Sequence, residues 1–200
     1  VTVPITVGSQ ADRVLLIWLN NYNAADYVTA TTATVNGVSA GAKVASFDTN
    51  AANIRGACWL VVAPPEGSYN VVVTAPQAAY QDVVVQLWSG VNQTTPSAAS
   101  FAKGDGVFTS HTFNVAATSG QTIADFFVSR DSSIVLTPGS GTAVGAPYIA
   151  NPNVYARSSR SDGPVSSVTW TTTSSNGTGV HYTAVVLIAS GGGGGGGATA

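Results

Sequence analysis

The chain reads as all-β, an antiparallel two-sheet β-sandwich of jelly-roll or immunoglobulin-like type with about a dozen strands, and three observations predict it. Valine occurs 28 times, whereas leucine, glutamate, lysine and methionine occur 7, 1, 2 and 0 times, so the β-branched residue far outweighs the strong helix formers. Short apolar runs alternate with turn residues from one end to the other, the pattern of hairpins and not of βαβ units. Only 8% of the 200 residues are charged, and the 44 serines and threonines must cover the surface in their place.

The elements follow in order. Residues 2–7 form the first predicted strand, stopped by Gly8-Ser9; residues 13–19 form a second, apolar on both faces and therefore central. Residues 32–35 and 42–47 flank Asn36-Gly37, a hairpin signal because both residues tolerate positive φ. Residues 55–63 lead into the turn Pro64-Pro65-Glu66-Gly67, and 68–75 return from it. Residues 82–88 end at Ser89-Gly90, after which 91–100 read as an irregular crossing to a second series of strands at 109–116, 122–130 and 134–137. A glycine- and proline-rich loop over 138–152 precedes strands at 154–160, 166–173 and 180–189. No repeat of fixed period appears. The chain divides into a sandwich domain, residues 1–190, and a glycine-rich tail or docking arm, residues 191–200.

Several function classes lack the residues they need. Cations are scattered singly apart from Arg157 and Arg160, so no basic stripe exists to track a phosphate backbone, and nucleic-acid binding is not expected. The longest apolar runs, 14–19 and 184–189, fall short of the ~20 residues of a spanning helix, and no membrane insertion is expected. Cys58, the single cysteine, sits among Ala57, Trp59 and Leu60 as a small buried hydrophobe. The first residues show no basic-then-apolar leader, which favours synthesis in the cytoplasm. His111 and His181 belong to no nucleophile or metal motif, and the acids adjoin turns, so neither catalysis, cofactor nor metal is expected. Asp125, between Ala124 and Phe126, is expected to face solvent.

Contact with sugars or proteins needs only exposed rings and amides. Strand alternation buries Trp18 and Trp170, but places Trp88 on a face with Gln86, making it the tryptophan expected at the surface, with Trp59 second. Tyr22, Tyr27, Tyr148, Tyr155 and Arg157 complete the candidate contact residues. In the tail, the tract containing Gly191, Gly194 and Gly197 has no side chains to bury and reads as a flexible linker, or as an arm held by neighbouring copies.

Residues 63–73 (APPEGSYNVVV), 89–96 (SGVNQTTP), 122–129, 137–142 (TPGSGT), 156–170 and 180–189 resemble, in that order, elements of a β-sandwich module recurrent in tailed-phage structural proteins and in bacterial surface or secreted proteins. The resemblance implies a non-enzymatic display, adhesion or virion-surface role and carries no site residue with it. The leading expectation is a capsid decoration, head fibre or tail-associated protein of a virion, assembled in the bacterial cytoplasm. Its partners would be copies of itself, other virion proteins and a host-surface glycan. The alternative expectation is a carbohydrate-binding module of a secreted or cell-surface bacterial protein.

Overall fold

The structure is a computed structural model, and it describes residues 1–22, 31–49, 54–75, 80–105, 110–129, 135–139, 141–151, 154–172, 180–191 and 198–199. These form strands only: β1 (Thr2–Val7), β2 (Val14–Tyr22), β3 (Thr32–Val35), β4 (Val38–Ser39), β5 (Lys43–Thr49), β6 (Ile54–Val62), β7 (Gly67–Thr74), β8 (Tyr80–Trp88), β9 (Ser97–Asp105), β10 (Ser110–Phe113), β11 (Gln121–Ser129), β12 (Leu136–Pro138), β13 (Thr142–Asn151), β14 (Val154–Asp162), β15 (Val168–Thr172), β16 (Val180–Ile188) and β17 (Ala198–Thr199). All paired strands are antiparallel, as the valine-rich alternation predicts.

Where two sheets are predicted, the described residues form four. The orders are β1-β7-β3-β4, β17-β8-β2-β6-β5, β13-β14-β11-β16-β9 and β10-β15-β12. Three apolar clusters lie between them, each drawing on two sheets. The first joins Leu15, Ile17, Leu19 and Trp59 to Val35, Val71 and Val73. The second, in the middle, joins Leu16, Trp18, Cys58 and Trp88 to Phe126, Val128, Val185 and Leu187. The third joins Phe127, Tyr182 and Val186 to Phe113, Val168 and Trp170. The sheets therefore stack in layers, and the two five-stranded sheets bury both faces. That is why β2 is apolar on both sides: Leu15, Ile17 and Leu19 fill one core while Val14, Leu16 and Trp18 fill the next.

Three local differences from the sequence reading have simple causes. Asn36 (φ 50°) and Gly37 (φ 77°) do make a tight turn, but it closes onto the two-residue β4, and β5 crosses to the other sheet after Gly41 (φ 77°). Residues 97–100, read as part of an irregular crossing, begin β9, which pairs with β16 from Leu187 back to Val180. Residues 142–151, read as loop, form the edge strand β13, whose register breaks between Val144 and Tyr148 around Pro147.

The order of strands repeats. The trio β1-β7-β3 recurs as β10-β15-β12, and β8-β2-β6-β5 recurs as β16-β11-β14-β13. Details repeat with it. The Ala63 amide donates to the Arg13 carbonyl (2.9 Å) just before Pro64, and the Gly163 amide donates to the Gln121 carbonyl (2.9 Å) just before Pro164. Asp12 (φ 55°) and Gly120 (φ 77°) hold the same left-handed backbone at the entry to β2 and β11. The pair Val14–Trp88 thus answers to Thr122–Leu187, and Ile17–Val85 to Asp125–Ala184. The molecule is two similar sandwiches packed through their larger sheets, with no sequence period to announce it.

The halves also exchange strands. β9 follows β8 in the chain but pairs with β16 of the other half; β17 follows β16 but pairs with β8. The two exits cross antiparallel at Val91–Ala189, with Asn92 N donating to Ile188 O (2.8 Å) and Ser190 N to Gly90 O (2.8 Å).

Candidate functional site

Three of the aromatic contact candidates, Trp88, Trp59 and Tyr155, are internal. Trp88 is 1% exposed, a correction to its expected surface position: the face it shares with Gln86 looks into the middle core and not into solvent. Gln86 is buried there because its Oε1 accepts from the indole of Trp18 (2.9 Å) and that of Trp88 (3.4 Å). Trp59 is also 1% exposed, packed in the first core with the Lys43 ammonium 5.2 Å from its ring centroid. Tyr155 is buried in the third core, and the half-buried Arg157 donates from Nη1 to the Leu136 carbonyl (3.0 Å), tying β14 to β12. Tyr22 ends β2 and Tyr148 lies in β13. Tyr27, Gly194 and Gly197 lie outside the described residues, and Gly191 is an exposed bend that leads toward β17.

Asp125 is likewise corrected from solvent-facing to buried. Its Oδ1 accepts from the Ser159 amide (2.7 Å) and hydroxyl (2.8 Å), and its Oδ2 from the Trp170 indole (3.2 Å) and the Tyr182 hydroxyl (3.0 Å). Burial pushes its carboxyl up to about 6, against the opposing pull of those four donors, with Ser159 first among them. Both of its oxygens accept from donors within the core, so the group is a structural brace across β11, β14, β15 and β16. His111 is half-buried with its ring 4.1 Å from that of Phe113, and among the described residues no cluster of three metal-ligating side chains occurs.

At one end of the first sandwich the apolar filling gives way to amides. Arg55, Asn21 and Gln81 sit side by side across β6, β2 and β8, one register step beyond Ala57, Leu19 and Val83. Asn21 is 3% exposed and neither polar atom of its side chain has a partner; Gln81 Nε2 has none either. On the opposite face Asn20 Nδ2 donates to Asp82 Oδ2 (2.9 Å), and burial raises the Asp82 carboxyl above its ordinary range.

A second feature lies along the flank of the same sandwich. Val3, Ile5 and Val7 of β1 face Leu15, Val85 and Leu87 across a cleft of about 310 Å³. Val3, Ile5, Val85 and Leu87 are only half-buried. The corresponding inward series in the other half, Phe113, Val115 and Ala117 against Ala184 and Val186, is 4%, 5%, 3%, 0% and 1% exposed. Among the described residues β8 pairs on this side only through Trp88 and Leu87, leaving the edge from Gln86 to Tyr80 without a strand. Alternation could not reveal this flank, because β1, β2 and β8, which line it, meet only in the folded chain.

Comparison with family models, with curated proteins and with solved structures finds no match. The chain's own geometry therefore carries the functional argument.

Proposed function

We propose that this chain is a non-enzymatic structural or adhesion component of a virion, of the capsid-decoration, head-fibre or tail-associated kind, which works by touching other proteins. The observation that carries this reading is the open flank of the first sandwich. An apolar cleft lined by the half-buried Val3, Ile5, Val85 and Leu87 is a surface suited to protein contact and poorly suited to chemistry. Low charge supports it, since repeated contact between uncharged surfaces avoids desolvating ions. The test is mass spectrometry of particles purified from cells that make the chain, together with sedimentation of the pure protein. Incorporation in fixed stoichiometry is expected. Absence from particles, or a monomer without a partner under every condition, defeats the proposal.

A carbohydrate-binding role is the second reading, favoured by the unpartnered Asn21 amide beside Arg55 and Gln81. An amide offers a donor and an acceptor to vicinal hydroxyls, although this one is covered and its sandwich end must open first. Glycan-array binding lost on Asn21→Ala would support it. Binding that survives the change would remove the observation favouring it.

A further inference from the structure

We infer that Asn36 is a self-modification site: its side chain cyclises onto the Gly37 nitrogen and hydrolyses to isoaspartate and aspartate, placing a charge at the tip of the β3–β4 hairpin. The two residues fill the tight turn between Val35 and Val38, with φ of 50° and 77°. Both are exposed, and among the described residues the Asn36 side-chain amide has no hydrogen-bond partner. A Cβ at position 37 would meet nothing within 4 Å, and glycine puts none there, so the path from the Asn36 Cγ to the Gly37 nitrogen is open.

The Gly37 nitrogen attacks Cγ of Asn36. The N–Cγ bond forms, and the side-chain nitrogen leaves as ammonia with the proton that the Gly37 amide gives up. Water then opens the five-membered imide. Attack at the main-chain carbonyl breaks its bond to Gly37 and leaves isoaspartate, in which the chain runs through Cβ and Cγ; attack at Cγ leaves aspartate. Water is the only co-reactant. Other asparagines are held or shielded. Asn92 Oδ1 accepts from the amides of Thr94 and Thr95 (both 2.9 Å), and Asn70 lies within β7 ahead of the β-branched Val71. Asn20 and Asn21 are buried.

The turn must open for the attack, and local opening costs little here. β4 has two residues, lies at the edge of its sheet and pairs with β3 at Thr34–Ser39 and Val35–Val38, with Val38 70% exposed. The remaining ties are Asn36 N to Asn70 O (3.1 Å) and Ala40 N to Ala33 O (2.8 Å). β1, β3, β4 and β7 carry no acidic or basic side chain, so the new carboxylate is the first side-chain charge on that sheet. The isoaspartyl form also lengthens the main chain by one carbon, which a two-residue turn cannot absorb in register. β4 is thereby released while β3 stays on β7. The chemistry needs no partner, so it stands or falls independently of the proposed contact role.

The test incubates the full native chain at neutral pH and physiological temperature and maps its peptides by mass spectrometry, with isoaspartyl methyltransferase labelling to find the isomer. The amide-to-acid mass gain is expected at Asn36 several-fold faster than at Asn70 or Asn92, with isoaspartate as the larger product. Asn176-Gly177, outside the described residues, is scored on its own peptide. The separated isoaspartyl form should exchange the Val38 and Ala40 amides several-fold faster than the native chain. An Asn36→Asp variant, which has the charge without the longer chain, should keep them slow. The inference is overturned if Asn36 stays intact in the folded chain while converting in urea, if aspartate forms without isoaspartate, or if Asn36 is lost no faster than Asn92. Unchanged exchange in the isoaspartyl form overturns the release of β4.

Discussion

Replacing Asp125 by asparagine should remove a specific part of the pH dependence of stability. The folded carboxyl titrates near 6 and the unfolded one near 3.8, so between these values the folded chain holds more proton than the unfolded chain. Stability contributed by this group therefore rises as pH falls through 6 and is complete below 3.8. At about 1.4 kcal/mol per pH unit, the interval is worth about 3 kcal/mol. Asp82, also raised, pushes the same way, while Asp162, lowered because hydrogen bonds from Arg160 and Thr122 outweigh its desolvation, pushes the other. Both are common to the two proteins and cancel in their difference. Urea unfolding at intervals from pH 7 to pH 4, followed by tryptophan fluorescence, measures that difference. The native protein should gain about 2 kcal/mol on the Asp125→Asn variant over that range, most of the full interval. A difference that does not change with pH, or that grows as pH rises, refutes the reasoning.

Other outcomes follow from the same structure. Gln86→Leu removes the acceptor of two buried indoles and should cost about 2–4 kcal/mol, read as a lowered urea midpoint with altered near-ultraviolet dichroism. Gly141→Ala should cost more than Gly37→Ala. Both glycines have positive φ, but a Cβ at 141 would strike the Arg160 carbonyl and the Ser161 hydroxyl, whereas one at 37 meets open space, and melting temperatures of the pair decide it. Cys58 is buried and its thiol is pushed well up, so the native protein should resist thiol reagents, and labelling should keep pace with global unfolding. Rapid native-state labelling would contradict that.

The sequence was informative wherever one strand's own pattern settled the outcome. Alternation over Thr2–Val7 and the turn residues after Val35 place β1 and β3 at their observed bounds, and the doubly apolar run at 14–19 correctly marks a central strand. It was uninformative where a neighbour decides. β9 carries small residues and little alternation, since pairing with β16 specifies it, and Pro147 disguises an edge strand as loop. Gln86 and Asp125 look like solvent markers along their own strands. They are inward because their partners, the indoles of Trp18 and Trp170 among them, arrive from other strands. Trp88 and Trp59 were misplaced for the same reason: a ring on the polar face of a strand is exposed only if no further sheet lies above it. The open flank involves four strands and the route of the tail, none of which a single segment encodes.

The crossing at Val91 and Ala189 bears on how the molecule comes apart. Each half lends the other a border strand, so neither can melt and leave its neighbour whole. Three cores of separate composition should accordingly surrender heat in one calorimetric peak, and the joint between the halves should act as a rivet and not as a hinge.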